Sequence, residues 1–488
     1  MRVLFINPSF GYSTRTISNP MGIISLASYL NANGHDAAIY DRNCDKRSLE
    51  KAISDFRADV IGVSVLSLMS LADAREVTAQ AKNMGYTVVW GGQIPSFYTD
   101  VCVKDSGADY MFLGEGELTW KEFLDRKEHG ENADNIDGIA FYRDGKTVYT
   151  AEREFADLTL FPKPDWSLVK PSDYFQTYIT ASKMLMLPAS KGCPCNCAFC
   201  GNRHYHRRTL RKGSIIKTVE SIEDLVKNYG ADGIYFTDEL WYPDKRDIRE
   251  FCALMKSRQL DVKWGLQARI GQFDEEILSV MKDAGCSWIF YGVESGSREM
   301  LKKINKQIDY DEIEHSIKIT NDAGIVTMTS FIVGFPDETA EEIKDTVSLA
   351  RRCGADIISF NMYFLTPGSD LYNRLIEQGR EKLPESLDEI YRNFSTESTE
   401  YKNFSAVSTK ELKVIQSYFH WIYFTGKNNK SGKMGDVAVK TAANTLKSIF
   451  SGFGHRSLSL ALGAGKEFAS VLYYALCFPK ILKKYGLK

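Results

Sequence analysis

Residues 191 to 202 read Lys-Gly-Cys-Pro-Cys-Asn-Cys-Ala-Phe-Cys-Gly-Asn, and the prediction of fold and chemistry begins from this stretch. Cys193, Cys197 and Cys200 have the spacing C-x3-C-x2-C. Three thiolates on one tight loop can ligate three irons of a [4Fe–4S] cluster. The fourth iron then keeps an open position, at which the amino and carboxylate groups of a methionine can chelate.

A zinc site is the alternative interpretation of the same loop. Structural zinc usually takes four ligands, and Cys195, His204 or His206 could supply the fourth. The spacing alone therefore does not exclude zinc. Cys195 also permits other ligand sets, because the loop contains C-x-C-x-C. We predict Cys193, Cys197 and Cys200 as the metal ligands and assign Cys195 no role.

Composition places the chain among ordinary globular proteins of two or three domains. It has 488 residues, 44% of them hydrophobic and 25% charged, and its formal net charge of −2 argues against general nucleic-acid binding. Four of its ten cysteines fall within residues 193 to 200. No signal peptide and no run of roughly 18 to 20 apolar residues is found. We expect a reduced, cytoplasmic protein.

Outward from the cysteine loop, strand and helix signals alternate with a long period. The strand candidates are Met184 to Ala189, Gly233 to Thr237, Val262 to Gln267, Trp288 to Val293, Thr327 to Val333 and Ile357 to Tyr363. Six strand–helix units predict a partial (β/α)6 barrel of TIM type over residues 184–400. Catalytic residues would lie at the carboxyl ends of these strands.

The segment 1–130 also alternates between strand and helix signals, with a shorter period. Strand candidates occur at residues 3–6, 37–40, 60–66, 87–90 and 110–113. They predict a parallel α/β sheet of flavodoxin-like or Rossmann-like type, with ligands beyond the carboxyl ends of its strands. The G-x-G-x-x-G fingerprint is missing after the first strand, so NAD is not expected.

Two further segments complete the predicted organisation. Residues 131–183 are expected to be a linker with a small ordered excursion, and 401–488 a helical domain with helices at 409–424, 437–450 and 466–481. From Lys427 onward there are 11 Lys or Arg residues against only Asp436 and Glu467. The last four lysines of this basic tail, from Lys480, follow the apolar run Val471 to Phe478. The tail suggests peripheral contact with an anionic membrane, although a solvated helical surface explains it as well.

The cysteine spacing, with aromatic Phe199 before the last cysteine, resembles the radical S-adenosylmethionine (SAM) superfamily. Motifs at the later strand ends match this superfamily in order. The resemblance implies that SAM is contacted by Phe199 of the cysteine motif and by residues at the strand ends. The latter are Asp238, Glu239, Arg269, Glu294, Ser295, Gly334 and Pro336. Each motif is weak alone, and an ordinary surface carboxylate or salt bridge is the alternative for Asp238, Glu239 and Arg269.

The first domain resembles the cobalamin-binding domain of class B radical methyltransferases. The strand ends that would line the corrin carry Ser64, Leu66, Ser67, Gly91, Gly92, Gln93, Gly114, Glu115 and Gly116. The Asp-x-His-x-x-Gly motif of other cobalamin proteins is absent, and His35 sits in a turn, so it is not expected to ligate cobalt. Ile94 stands where relatives often carry His.

The resemblance implies a radical enzyme that cleaves SAM at the cluster to a 5′-deoxyadenosyl radical and, with cobalamin, methylates an unactivated carbon. The substrate would be a small molecule or lipid-like, and the electron donor a flavodoxin or ferredoxin. Two alternatives stay open. One is a radical cyclase or rearrangement enzyme without methyl transfer, and the other is a non-catalytic cobalamin or iron–sulfur sensor.

Overall fold

The computed structural model describes residues 1–10, 17–394, 401–425 and 478–487. The chain divides into two compact units whose segments alternate along the sequence. Unit 1 comprises residues 1–174, 204–207 and 373–401. Unit 2 comprises residues 175–203, 208–372 and 402–488.

Unit 1 is built on a seven-stranded sheet with the order β2-β1-β3-β4-β5-β6-β7. Its strands are β1 (Arg2–Asn7), β2 (Asp36–Asp41), β3 (Val60–Ser64), β4 (Thr87–Gly91), β5 (Tyr110–Phe112), β6 (Ile139–Arg143) and β7 (Lys146–Tyr149). The first five are parallel, and β6 and β7 add an antiparallel hairpin at the edge. The expected linker therefore contributes two strands to the first sheet.

Helices cover both faces of this sheet. They are α1 (Met21–Ala32), α2 (Leu49–Phe56), α3 (Leu71–Asn83), α4 (Gln93–Phe97), α5 (Thr99–Asp105) and α6 (Glu117–Glu128). Strand β1 is buried from Val3 to Asn7, as expected for a parallel strand between two helical layers. One face packs its apolar residues with α2, α3 and α5, and the other packs Phe5 of β1 against Trp120 of α6, in a cluster that also includes α1.

Unit 2 contains a second seven-stranded sheet, with the order β16-β15-β14-β13-β12-β9-β8. Its strands are β8 (Gln176–Tyr178), β9 (Ala181–Leu187), β12 (Gly233–Phe236), β13 (Lys263–Ala268), β14 (Cys286–Glu294), β15 (Val326–Val333) and β16 (Ile357–Met362). The six from β9 onward are parallel, which is the half-barrel that the alternation predicts, while β8 is antiparallel at the edge. The short strands β10 (Ser190–Lys191) and β11 (Arg211–Lys212) pair separately.

Several of the helices that follow these strands begin with a side-chain cap. They are α7 (Asn202–Tyr205), α8 (Ile215–Tyr229), α9 (Lys245–Ser257), α10 (Glu275–Asp283), α11 (Arg298–Lys303), α12 (Glu312–Asp322), α13 (Ala340–Arg352) and α14 (Asp370–Glu377). Side chains of Ser214, Asp274 and Ser297 accept backbone N–H bonds at three helix starts. Thr339 and Glu342 form a reciprocal capping box at α13.

The chain then contributes one helix to each unit. Helix α15 (Leu387–Phe394) places Leu387 and Ile390 in the core of unit 1. Helix α16 (Thr409–Thr425) belongs to unit 2, where Phe419 stacks on Phe360 of β16 with ring centroids 4.0 Å apart.

A last short helix, α17 (Pro479–Lys484), buries Leu482 and pairs Lys484 with Glu411. The predicted helix at 437–450 lies outside the described residues, as does most of the one at 466–481. No helix within the described ranges is long and apolar enough to cross a membrane.

Candidate active site

The cysteine loop follows β10 and precedes α7 in the chain. Its four cysteines are all half-buried. The loop is turned on itself by a bond from Cys200 N to Cys197 O of 3.1 Å. Gly192 enters it with φ of +88°, a left-handed conformation that favours glycine.

Charged groups surround the loop sulfurs within unit 2. The pKa of the Cys195 thiol falls to about 6, because Cys193 donates a hydrogen bond to it and Arg269 and Lys306 lie nearby. Burial raises the pKa of the Cys197 and Cys200 thiols. Lys306 is itself buried and pairs with Glu294 at 2.8 Å. Positive charges beside the loop suit the negative charge that a thiolate-ligated cluster carries.

The donor set fits an iron–sulfur cluster in its chemistry, since thiolates are the ligands that such clusters take. Within the part of the chain that the structure describes, no three His, Cys, Asp or Glu side chains already surround a common metal position. The choice of Cys193, Cys197 and Cys200 as ligands therefore remains a prediction.

Arg269, a candidate for the SAM carboxylate, directs its guanidinium to the cysteine loop. Nη1 donates to the Sγ of Cys195 at 2.9 Å. Nη2 donates to the carbonyl oxygens of Lys306 and Gln307 at 3.0 and 2.7 Å. A carboxylate would have to share these donors.

The acidic pair after β12 braces the strand before the cysteines. Asp238 is 1% exposed and accepts hydrogen bonds from the backbone N–H of Ala189 and the hydroxyl of Ser190. Burial raises the pKa of Asp238 to about 7. Glu239 accepts a bond of 3.1 Å from Gly192 N. Both carboxylates thus contact the segment that leads into the loop, and the predicted role in binding the SAM ammonium remains a prediction.

The end of β14 carries the predicted Glu294 and Ser295. Glu294 has φ of +69°, an uncommon conformation for a residue with a side chain, and its carboxylate holds Lys306. Ser295 is fully buried, and its hydroxyl bonds to that of Thr346 on α13 at 3.1 Å. Ser295 therefore fixes the strand end against a helix.

The end of β15 forms a tight turn around Glu338, a residue that the sequence analysis did not select. Gly334, with φ of +89°, and Phe335 both donate backbone N–H bonds to Glu338 Oε2, at 2.6 and 3.1 Å. Glu338 is fully buried, and burial raises its pKa to about 8. Pro336 lies within this turn. The signal was present, since a carboxylate four residues after a glycine can close such a turn.

Phe199 packs on the same turn. Its ring centroid lies 5.7 Å from that of Phe335. Ala198 and Phe335 belong to one buried cluster, against which Phe199 is packed. The aromatic position of the cysteine motif therefore attaches the loop to the end of β15.

The residues predicted to line the corrin all lie at the carboxyl ends of β3, β4 and β5 in unit 1. Val65 N donates to Gly91 O at 2.7 Å, which joins two of these ends. Gly92 has φ of +110°, and a Cβ there would lie 2.9 Å from Val65 O. Ser67 caps the 3-10 turn that precedes α3, and Gly116 stands before α6.

A cavity of about 510 Å³ opens beside these ends, within unit 1. Ser96, Gly114 and Glu115 line it together with residues 149–156. Its volume is in the range that small-molecule ligands occupy. Part of a large planar cofactor could enter it.

Residues 204–207 supply another wall of this cavity, which the sequence analysis did not foresee. His204, Tyr205 and Arg207 line it. The Tyr205 hydroxyl donates to Gly114 O at 2.7 Å, and Arg207 lies 3.8 Å above the ring of Phe155. These contacts join segments that are far apart in the chain, so no local sequence pattern could have predicted them.

His35 lies at the opposite edge of the first sheet. It precedes β2, and its Nε2 is 3.1 Å from Asp125 Oδ1. Its position is at the amino-terminal edge of the strands, away from the corrin-lining residues.

Family comparisons agree with the two units. Residues 12–124 match the model of the B12 binding domain, and residues 187–350 match that of the radical SAM superfamily. Among curated relatives, an uncharacterised methyltransferase of Pyrococcus horikoshii is 28% identical over 387 residues, covering 77% of this chain and 83% of its own. The anaerobic magnesium-protoporphyrin IX monomethyl ester cyclase of Rubrivivax gelatinosus is 29% identical, covering 77% and 70%.

A solved structure shows the same fold. The cobalamin-dependent SAM radical enzyme OxsB, determined with aqua-cobalamin and SAM bound, matches with a TM-score of 0.67 at 17% identity. The match covers 99% of this chain and 80% of that one. The α/β architecture predicted from the sequence is confirmed.

Proposed function

The chain joins a B12-binding domain to a radical SAM domain, whose cofactors are cobalamin, a [4Fe–4S] cluster and SAM, and from this premise we propose that it methylates an unactivated carbon of a small-molecule or lipid-like substrate. The presence of both domains on one chain carries the proposal. When bound, these cofactors supply a 5′-deoxyadenosyl radical for hydrogen removal and a methyl group for transfer.

The protein's own residues would hold and position these groups. Cys193, Cys197 and Cys200 would ligate the cluster, and Arg269 and Lys306 would balance its charge. The ends of β3, β4 and β5 would hold the corrinoid. The protein's contribution to such chemistry is binding, orientation and exclusion of water.

The side chains on one face of the second sheet favour an uncharged substrate. Its opposite face packs Phe236 and Trp264 against Phe251 of α9. On the face under consideration, the neighbouring strands β9, β12, β13 and β14 carry the half-buried side chains of Met186, Tyr235, Gln267 and Phe290. The Tyr235 hydroxyl accepts a bond from Gln267 Nε2 at 2.9 Å. None of these four side chains is charged.

A cyclase or rearrangement reaction without methyl transfer is the second candidate. It is favoured by the similarity to the Rubrivivax gelatinosus cyclase. Both candidates require SAM cleavage, so they differ in whether S-adenosylhomocysteine is formed alongside 5′-deoxyadenosine.

The test is an anaerobic assay of protein reconstituted with iron, sulfide and hydroxocobalamin. SAM and dithionite are added, and 5′-deoxyadenosine and S-adenosylhomocysteine are measured together. We expect both products from the wild-type chain and neither from the Cys193, Cys197, Cys200→Ala variant. Cys44→Ser is the control, since this half-buried cysteine lies in unit 1. A flavodoxin or ferredoxin replacing dithionite tests the proposed electron donor.

The outcomes separate the candidates. Formation of 5′-deoxyadenosine alone, with candidate substrates supplied, would favour the cyclase class. Neither product from protein with a verified reduced cluster and corrinoid would point to the non-catalytic sensor and overturn the proposal.

A further inference from the structure

We propose that Cys195 is a positioning residue of the cysteine loop and not an iron ligand. Its sulfur accepts the guanidinium of Arg269, and this bond holds the loop against residues 304–307. The inference rests on the proposed function, because it concerns the loop that would carry the cluster. It gives a role to the one loop cysteine that the C-x3-C-x2-C spacing leaves over.

Arg269 acts as a bridge with three acceptors. One arm of its guanidinium donates to Cys195 Sγ at 2.9 Å, and the other reaches the carbonyl oxygens of Lys306 and Gln307. The planar fork of arginine offers donors in fixed directions, which the ammonium of lysine does not. The sulfur of Cys195 is therefore held at a defined distance from residues 304–307.

The bridge starts from a rigid point. Arg269 directly follows β13, and its backbone N–H donates to Gln272 Oε1 at 3.0 Å. Gln272 in turn donates through Nε2 to Trp241 O at 2.8 Å. Because β13 ends directly before Arg269 and Gln272 holds its backbone N–H, the arginine side chain can impose a position on the loop.

Two further bonds join the same two segments. Ala198 N donates to Ile304 O at 2.8 Å, and Asn305 Nδ2 donates to Asn196 O at 2.7 Å. Asn305 and Gln307 hold left-handed φ angles of 50° and 53°, which cost energy and persist where surrounding contacts demand them. The loop is therefore joined to residues 304–307 at positions 195, 196 and 198, and Cys195 makes its connection through its sulfur.

The experiment compares Cys195→Ala, Cys195→Ser, Arg269→Met and the Cys195→Ala/Arg269→Met double variant in the full chain, after anaerobic reconstitution. The readouts are iron per chain, the rate of cluster loss to an iron chelator, and the EPR spectrum of the reduced cluster with and without SAM. Arg249→Met is the control, because Arg249 pairs with Glu276 on α10, away from the loop.

We expect every variant to load as much iron as the wild type. Cys195→Ala should lose the cluster about ten times faster than the wild type, the effect of one charge-assisted hydrogen bond. Arg269→Met also gives up the bonds to Lys306 and Gln307 and should lose the cluster at least as fast. Both variants should show an altered EPR spectrum. The double variant should be no worse than Arg269→Met alone, because Arg269→Met already removes the bond to Cys195. Cys195→Ser, which keeps an acceptor, should restore the wild-type spectrum.

Two results would overturn the inference. Loss of iron from Cys195→Ala, toward the level of the Cys193, Cys197, Cys200→Ala variant, would make Cys195 a ligand. Wild-type behaviour of Cys195→Ala in both chelation and EPR would show that the bond positions nothing.

A chain that binds no cluster at all would contradict the proposed function, and hydrogen exchange would then decide the inference separately. In the metal-free protein, Arg269→Met and Cys195→Ala should raise amide exchange within residues 193–200 by about tenfold. Unchanged exchange there would overturn it.

Discussion

Two buried carboxyl groups stand out at the scale of single residues. Asp238 and Glu338 are almost fully enclosed, and burial raises their pKa values to about 7 and about 8. An ordinary carboxyl group in an unfolded chain has a pKa near 4. Both groups therefore bind a proton more tightly in the folded protein than in the unfolded one.

This difference predicts a dependence of stability on pH. The stabilisation is fully present below about pH 4 and is lost as the pH rises through about 7 for Asp238, because the unfolded chain ionises more readily. Asp238→Asn should remove this contribution, so its midpoint of thermal unfolding should vary less between pH 5 and pH 8 than that of the wild type. Differential scanning calorimetry of the metal-free chain at one-unit pH intervals measures it.

Asp261→Asn is the matched control, since the side chain of Asp261 is 99% exposed. It should keep the wild-type dependence on pH. If Asp238→Asn also kept that dependence, the carboxyl group would be ionised in the folded protein throughout this range, contrary to the burial argument.

The cysteine loop shows what sequence spacing reveals at this scale. The cysteine spacing predicted a metal-binding loop, and this loop lies within the residues that match the radical SAM model. The spacing alone had limits. It could not reveal that Arg269 bonds to Cys195, or that Glu294 pairs with Lys306. These contacts depend on how the ends of β10, β13 and β14 come together in the fold. Considered alone in the sequence, the charged partners are indistinguishable from ordinary surface residues.

Among the structural elements predicted to line the corrinoid, the turn after β4 has tightly constrained geometry. Gly92 combines φ of +110° with a backbone oxygen 2.9 Å from where a Cβ would lie. Gly92→Ala should therefore displace the turn and weaken corrinoid binding about tenfold or more, by the energy of a strained backbone. Absorbance titration with hydroxocobalamin measures the dissociation constant.

Gly85→Ala provides the comparison, because Gly85 has φ of +86° with no atom within 4 Å of its missing Cβ. It carries similar backbone strain in the turn before β4, at the other end of that strand. Corrinoid affinity should stay near the wild-type value in this variant. Equal weakening by both substitutions would attribute the effect to general destabilisation of unit 1.

The hairpin of β6 and β7 is the element that the sequence analysis placed in a linker. Its strands are only five and four residues long and are partly exposed, so their hydrophobic pattern is weak. The turn nevertheless carries Asp144-Gly145, with φ of 51° and 79°. An Asp-Gly pair with both φ angles positive is a strong hairpin signal, and reading it would have placed these strands.

For the whole molecule, the main feature is that segments of the two units alternate along the chain. Unit 1 is completed by a helix from residues 387–394, which reaches its core with Leu387 and Ile390. The fold class and the order of the two domains were predictable from local patterns. The packing of helix α15 in the core of unit 1 was not predictable, because contacts between segments so distant in the chain produce no periodic pattern in the sequence.

The interleaving predicts that a late residue stabilises the first unit. Ile390→Ala should destabilise unit 1 by about 2 to 5 kcal/mol, the usual cost of such a truncation in a core. Hydrogen exchange resolved by mass spectrometry should show faster exchange in β3 and β4, which lie far upstream of the substitution in the sequence.

Leu160→Ala is the control, since Leu160 lies in the same unit and is 77% exposed. It should leave exchange in these strands unchanged. If Ile390→Ala raised exchange only around residue 390, the helix would be an appendage and not part of the core of unit 1.

The late position of helix α15 in the chain sets an order of events during synthesis on the ribosome. The segment 1–174 emerges early, yet the helix that fills its core is made only after nearly all of unit 2's barrel strands and helices. At roughly 5 to 20 residues per second, the nascent first unit waits on the order of ten seconds or more with Leu387 and Ile390 still missing. Translation speed across positions 175–386 thus becomes a determinant of how long an unfinished apolar surface is offered to chaperones.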